Sequence, residues 1–171
     1  MPALPDPVAR LLERALVGEL TVVAEDGRPI AYPMVPILDG DRIVMTSSAL
    51  DCRKLGYIKA NPKVCLSLTD PAALGGVTGG EPGVEPGGAI GRATIQGDAR
   101  VIEDDLHSGW ERLLPAIGRK DPSIPALLKA RVGFPLMFER AIIELTPVRT
   151  LYWPDGRTDR APTVTASEAA R

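Results

Sequence analysis

This 171-residue chain is poor in the residue types on which many protein sites are built. It has one histidine, His107, and two cysteines, Cys52 and Cys65. A single histidine excludes sites that need two, such as the HExxH zinc site, and two cysteines cannot make a disulfide framework or a four-cysteine zinc site. A Ser-His-Asp triad would have to use His107, yet the chain has no nucleophile elbow. We interpret both cysteines as reduced, small apolar residues.

The chain also lacks a positive excess and a long apolar run. Its 20 Lys and Arg stand against 22 Asp and Glu, a net charge of −2, which removes a bulk basic field as a reason to bind nucleic acid or an anionic membrane. The apolar runs fall far short of the ~20 residues of a membrane span. The first residues do not resemble a signal peptide. We therefore expect a soluble cytoplasmic protein without nucleic-acid or membrane partners.

The hydrophobic pattern predicts a mostly β domain over residues 1–153, with helices between and around about six antiparallel strands. Helices are expected at 6–17, 51–60, 103–117 and 123–132, and strands at 20–24, 30–38, 42–46, 63–69, 93–101 and 138–145. Asp-Gly pairs separate the first three strands, which predicts two hairpin turns and an antiparallel meander. Two prolines make the second of these strands an edge, bulged or bent strand. Closure into a small barrel would remove the sheet edges.

Two segments are expected to lie outside the core. Residues 71–91 contain eight glycines and three prolines and are interpreted as a long loop inserted in the domain. The loop has no GxxxxGK[ST] motif, and Glu81 and Glu85 would repel phosphate, so it is not a phosphate loop. We interpret it either as a passive insertion or as a lid over a binding site. Because the loop has no cation or aromatic ring that could contact a ligand, the passive role is favoured. Residues 154–171 are expected to be a polar, disordered tail.

The most informative chemistry lies where the 42–46 strand ends and the 51–60 helix begins. Hydroxyl residues close the strand, and two cations stand in the first helical turn. Cations oppose the helix dipole there, but free amides, hydroxyls and cations together suit a bound phosphate. The alternative is a solvated helix start in which Asp51 is the N-cap. The hydroxyls and cations concerned are Thr46, Ser47, Ser48, Arg53 and Lys54.

Three other features admit both a functional and a structural interpretation. Arg92 begins the strand after the glycine-rich loop and could reach an anion or lie in water. His107 is favoured as a surface residue over a catalytic base. The Tyr152-Trp153 pair could stack on a planar ligand, although core or dimer packing is favoured.

The order of these elements resembles the pyridoxamine 5′-phosphate oxidase-like family, the FMN-binding split β-barrels. The resemblance covers roughly residues 6–153, with the glycine-rich loop as an insertion. Its most specific part is the spacing from Arg53-Lys54 across a helix to Asn61-Pro62 and Val64. The segments that carry it are GELTVVAEDGRPIAYPMVPILDGDRIVMTSS, RKLGYIKANPKVCLSL, GRATIQGDARVIEDD and AIIELTPVRTLYW.

The resemblance implies a six-stranded antiparallel split barrel whose homodimer binds two flavins at the subunit interface. Hydroxyls after the third strand and the Arg-Lys pair would hold the flavin phosphate, and the proline-bearing second strand would line the isoalloxazine ring. The matching residues are Thr46, Ser47, Ser48, Arg53 and Lys54 for the phosphate, Pro33, Met34 and Val35 for the ring, and Arg92 and Gln96 on the strand after the glycine-rich loop.

The function implied is an FMN-dependent oxidoreductase that transfers hydride to or from a small organic substrate. The cofactor carries the chemistry, which suits a chain with few catalytic residue types. Reductases that use a deazaflavin coenzyme share this scaffold, and a non-enzymatic flavin binder or sensor is a further alternative. The chain has AYPMVP where pyridoxamine phosphate oxidases carry a second-strand arginine, and it lacks their closing Arg-x-His signature. These departures argue against vitamin B6 oxidase activity itself.

Overall fold

A computed structural model describes residues 4–50, 52–70, 91–123 and 139–166 of the chain. Most of the predicted 71–91 loop, and all but the first residue of the helix predicted over 123–132, lie outside these residues. Within them, no helix is long and apolar enough to cross a membrane. Nor do three or more His, Cys, Asp or Glu side chains come together there as metal ligands.

The described chain forms one antiparallel sheet and three α-helices. The strands are β1 (Gly18–Val23), β2 (Pro29–Met34), β3 (Ile37–Asp39), β4 (Arg42–Ser48), β5 (Lys63–Thr69), β6 (Arg92–Ile102), β7 (Arg140–Trp153) and β8 (Thr163–Ala166). The helices are α1 (Asp6–Arg14), α2 (Arg53–Ala60) and α3 (Leu114–Lys120), the last preceded by a 3-10 helix (Gly109–Leu113). The strand order is β2-β1-β5-β6-β7-β4-β3, and β8 pairs with β7.

Both predicted Asp-Gly hairpins are confirmed. Gly27 and Gly40 adopt φ values of 83° and 63°, in the left-handed region that glycine enters without steric cost. The meander is wrong, because β2 pairs with β1 and β3 pairs with β4, and the two hairpins lie at opposite ends of the strand order. The proline-bearing run breaks at Val35-Pro36, as its prolines predicted, and this short link joins β2 to β3, the two ends of the strand order.

The strand count and the closed barrel require correction. The described sheet has eight strands, not six, and its order ends at β2 and β3, so the pairing is that of an open sheet. The last predicted strand, 138–145, is only the first part of β7. β4 pairs with β7 as far as Leu145, and β8 pairs with it between Arg149 and Tyr152. Residues 163–166, expected to be disordered, thus form β8.

Two apolar clusters fill the two sides of the sheet. The main core packs α1 and α2 against β1, β4, β5, β6 and β7. The second core lies on the other side, where the 3-10 helix and α3 cover β4 and β7. Its buried residues are Ile37, Val44, Trp110, Leu113, Ile117 and Ile142.

The helix predicted over 103–117 begins late, because Asp105 organises a turn before it. The Asp105 carboxylate accepts hydrogen bonds from the backbone N–H groups of His107 (3.0 Å) and Ser108 (2.9 Å), and from the Ser108 hydroxyl (2.5 Å). These bonds lower the pKa of Asp105. Such side-chain bonds compete with helical hydrogen bonding, so regular helix starts only at Gly109.

Candidate functional site

The end of β4 and the start of α2 meet, as the phosphate-site hypothesis requires. Ser47 is buried, and its Oγ lies 3.2 Å from the Sγ of Cys52. Cys52 is the N-cap residue of α2; no side chain of a described residue caps this helix, and its first turn holds no acidic residue. The Leu55 N–H of the first turn donates to the Cys52 carbonyl oxygen (3.1 Å), so the first-turn amides of Arg53 and Lys54 are the donors that an anion can use.

The two cations of this turn differ in their surroundings. Arg53 is exposed, whereas Lys54 is half-buried and its Nζ lies 5.1 Å from the centroid of the Tyr32 ring on β2. Neither cation forms an ion pair with a described carboxylate. The alternative N-cap, Asp51, is outside the described residues. The described contacts leave both positive charges unneutralised.

An arginine that the sequence did not single out also lies here. Arg140, at the start of β7, donates from Nε to Thr46 Oγ1 (3.0 Å) and from Nη2 to the Thr46 carbonyl oxygen (3.2 Å). Its guanidinium lies 5.8 Å from the centroid of the Trp110 ring. Burial lowers the pKa of Arg140, and the nearby Cys52 sulfur partly offsets this. Arg140 lies opposite Ser48 in the pairing of β4 with β7. Its place at this site could have been predicted only if that pairing had been known.

The three second-strand residues predicted to line a flavin ring lie in different environments. Pro33 is exposed on β2, Met34 is buried in the main core, and Val35 packs against the second core. Of the three, Pro33 is thus the most open to a ligand. Tyr32, which sequence reasoning missed, is the β2 residue that contacts Lys54.

Arg92 and Gln96 do not join this cluster within one chain. Both are exposed on β6, where they lie opposite Trp153 and Arg149 of β7. Trp153 is thirteen residues from Arg140 along β7, a separation of about 40 Å in an extended strand. The structure therefore places these two predicted residues far from the end of β4.

Gln96 instead lines a groove of about 630 Å³ on the outer side of the sheet. The groove also includes Lys63, Cys65, Asp98 and Arg149, and burial raises the pKa of the Cys65 thiol. A second cavity, of about 550 Å³, lies between α1, the turn between β3 and β4, and α3. Neither cavity includes a residue of the β4–α2 junction.

The remaining candidates contact their own chain or solvent. His107 is exposed in the turn before the 3-10 helix, in keeping with the favoured surface role. Tyr152 packs against the main core, and the Trp153 indole N–H donates to the carbonyl oxygen of Arg160 at 2.9 Å. The described contacts thus favour packing over ring stacking for this pair.

Comparisons with known proteins agree with this fold. The family model described as Pyridoxamine 5′-phosphate oxidase matches residues 4–154. No curated protein matches the chain. Among solved structures, an F420 reductase is 23% identical with a TM-score of 0.58, over 86% of this chain and 98% of that one. An FAD-binding protein from Mesorhizobium loti is 15% identical with a TM-score of 0.54, over 86% and 91%.

General stress protein 26 from Bacillus anthracis is 14% identical with a TM-score of 0.55, over 94% of this chain and 95% of that one. At these identities the solved structures show a shared fold. The family match covers most of the chain, including β1 to β7 and all the residues at the β4–α2 junction. This chain belongs to the pyridoxamine 5′-phosphate oxidase family.

Proposed function

We propose that this chain binds FMN through its phosphate at the junction of β4 and α2, and that it transfers hydride to or from a small organic substrate. We call Thr46, Ser47, Ser48, Arg53 and Lys54 the phosphate cluster. The observation that carries the proposal is a pair of cations without described carboxylate partners. They stand at a helix start that has no side-chain cap among the described residues and that contacts a hydroxyl-bearing strand end. Family membership supports the same conclusion.

The donors of the phosphate cluster suit a phosphate dianion. Lys54 and Arg53 supply both charge and their backbone N–H donors, and the helix dipole favours an anion at this end. Ser47 is different, because its buried Oγ contacts Cys52 and donates to the Ser48 carbonyl oxygen (3.2 Å). Ser47 therefore links strand to helix, and the hydroxyls of Thr46 and Ser48 are the ones that would contact phosphate.

The bound flavin would supply two-electron hydride chemistry, while the chain binds and orients it. Lys54 would neutralise phosphate charge from a position fixed against the Tyr32 ring. Pro33, exposed on the same strand, would lie beside the ring system. This chemistry requires no protein acid or base, because the flavin would carry it, and His107 is exposed in the turn before the 3-10 helix.

We also propose that the flavin site is completed by a second copy of the chain. Arg92 is about 40 Å and Gln96 about 30 Å along the sheet from the phosphate cluster, so they would reach a bound flavin only from another subunit. We expect a homodimer in sedimentation velocity at micromolar concentration. Sedimentation as a monomer alone, with and without FMN, would contradict the two-subunit site.

A deazaflavin-dependent reductase is the second candidate. The solved structure described as an F420 reductase supports it, with 98% of that chain matched. A phosphate in the coenzyme side chain would use the same cluster. A non-enzymatic flavin binder or sensor is the third possibility.

The visible spectrum of the purified protein tests these proposals directly. We expect a bound or added flavin to give the absorption bands of a flavoprotein, and denaturation to release FMN or the deazaflavin for identification. Turnover with reduced nicotinamide or reduced deazaflavin then separates an enzyme from a binder. If neither cofactor binds at micromolar concentration, the proposed function is wrong.

A further inference from the structure

Arg140 is a partly buried cation whose described contacts do not neutralise it. They are the Oγ1 and carbonyl oxygen of Thr46 and the ring of Trp110. No described carboxylate forms an ion pair with it. A guanidinium shielded from water is stabilised by an anionic partner, so this position suits a negatively charged ligand.

Arg140 also determines what the Thr46 hydroxyl can do. An arginine is a donor only, so its Nε–H occupies a lone pair of Thr46 Oγ1. The hydroxyl hydrogen of Thr46 then remains available, and no described acceptor takes it. Thr46 is held as a donor near the end of β4, next in sequence to Ser47, which contacts Cys52 at the start of α2.

We propose that Arg140 is a positioning residue that makes the phosphate cluster selective for a phosphate-bearing flavin. It acts by orienting the Thr46 hydroxyl toward the phosphate and by adding a third positive charge to those of Arg53 and Lys54. This inference rests on the proposed function, and it assigns to the start of β7 a role in ligand selection.

A comparison of FMN with riboflavin isolates this role, because the two ligands differ only in the phosphate. Wild type and Arg140→Gln are titrated with each ligand while flavin fluorescence is followed. For the variant we expect the Kd for FMN to rise about 10- to 100-fold while that for riboflavin changes by less than about twofold. A purely structural arginine would change both values equally, and that result would overturn the proposal.

Thr46→Val and Thr46→Ser provide a second, independent comparison. Thr46→Val lacks the hydroxyl and should show the same selective loss of FMN, whereas Thr46→Ser keeps it and should match wild type. These variants decide the question if Arg140→Gln does not fold. Loss of affinity in Thr46→Ser equal to that in Thr46→Val would contradict the proposed hydroxyl contact.

The design separates the inference from the function on which it rests. Wild type that binds FMN, with an unchanged ratio of FMN to riboflavin affinity in both Arg140→Gln and Thr46→Val, overturns only the role of Arg140. Wild type that binds neither FMN nor the deazaflavin coenzyme overturns the proposed function and this inference together. If wild type prefers the deazaflavin, the same comparison uses that coenzyme and its phosphate-free chromophore.

Discussion

Replacing Gly97 with alanine is expected to destabilise the protein by about 3 kcal/mol. A Cβ at this position would overlap the carbonyl oxygen of Thr146 and would lie 2.8 Å from the Cδ1 of Leu145. Gly97 is at a bulge where β6 pairs with β7, in the middle of the sheet. The backbone of Thr146 cannot move aside without disturbing that pairing. Denaturant unfolding followed by circular dichroism measures the change in the free energy of unfolding.

Gly56→Ala is the matched control. Gly56 is exposed inside α2, and a Cβ there would meet no atom within 4 Å. Because alanine favours helix over glycine, this variant should be more stable by about 0.5–1 kcal/mol. A Gly97→Ala variant as stable as wild type would contradict the close approach of the β6 and β7 backbones at the bulge.

Lys54→Ala is expected to weaken FMN binding about 10- to 100-fold, which corresponds to about 1.5–3 kcal/mol of charge-assisted hydrogen bonding. The fold should change little in stability. A cation in the first turn of α2 opposes its own helix dipole, which offsets part of what the contact with the Tyr32 ring contributes. Fluorescence titration with FMN and thermal unfolding without ligand measure the two quantities.

Lys59→Ala removes a lysine from the last turn of the same helix. Lys59 pairs with Glu103 at 2.6 Å, and both side chains are substantially exposed, so its loss should cost less than about 1 kcal/mol of stability. FMN affinity should stay at the wild-type value. Equal loss of FMN affinity in both variants would indicate a general effect of charge, and an unfolded Lys54→Ala would contradict its assignment to ligand binding.

The sequence predicts local structure well where a few neighbouring residues decide it. The Asp-Gly pairs set both hairpins, and Asn61-Pro62 ends α2 where expected. β5 has the predicted bounds, Lys63–Thr69, because its apolar residues alternate cleanly into the main core. In each case one or two adjacent side chains fix the backbone conformation.

Pairing between distant segments is what the sequence could not supply. Pro147 argues against a strand that continues past Leu145, yet β7 continues to Trp153. Pro147 lies opposite Gly97 at the bulge, where the ladder is already irregular. The pairing of β2 and β3 could not be predicted either. The local sequence indicates that the 30–38 run breaks at Pro36, but it does not indicate which strand each part of the run will pair with.

The candidate site divides in the same way. Thr46 to Lys54 are close in sequence, and their grouping could be predicted from a strand end followed by a helix start. Arg140 is 94 residues from Thr46, and Tyr32 reaches Lys54 from another strand. Only the folded chain brings these residues together. The same long-range pairing keeps Arg92 and Gln96 away from the cluster.

The central place of β7 has a consequence for how the protein matures in the cell. β4 and β6 flank β7 in the sheet, and both are synthesised before residues 140–153. Until β7 is available, the edges of β4 and β6 that face it are unpaired, and such edges can join another nascent chain. We therefore expect the β1–β2 and β3–β4 hairpins to form first. The sheet would be completed only after β7 has emerged and paired with β4 and β6.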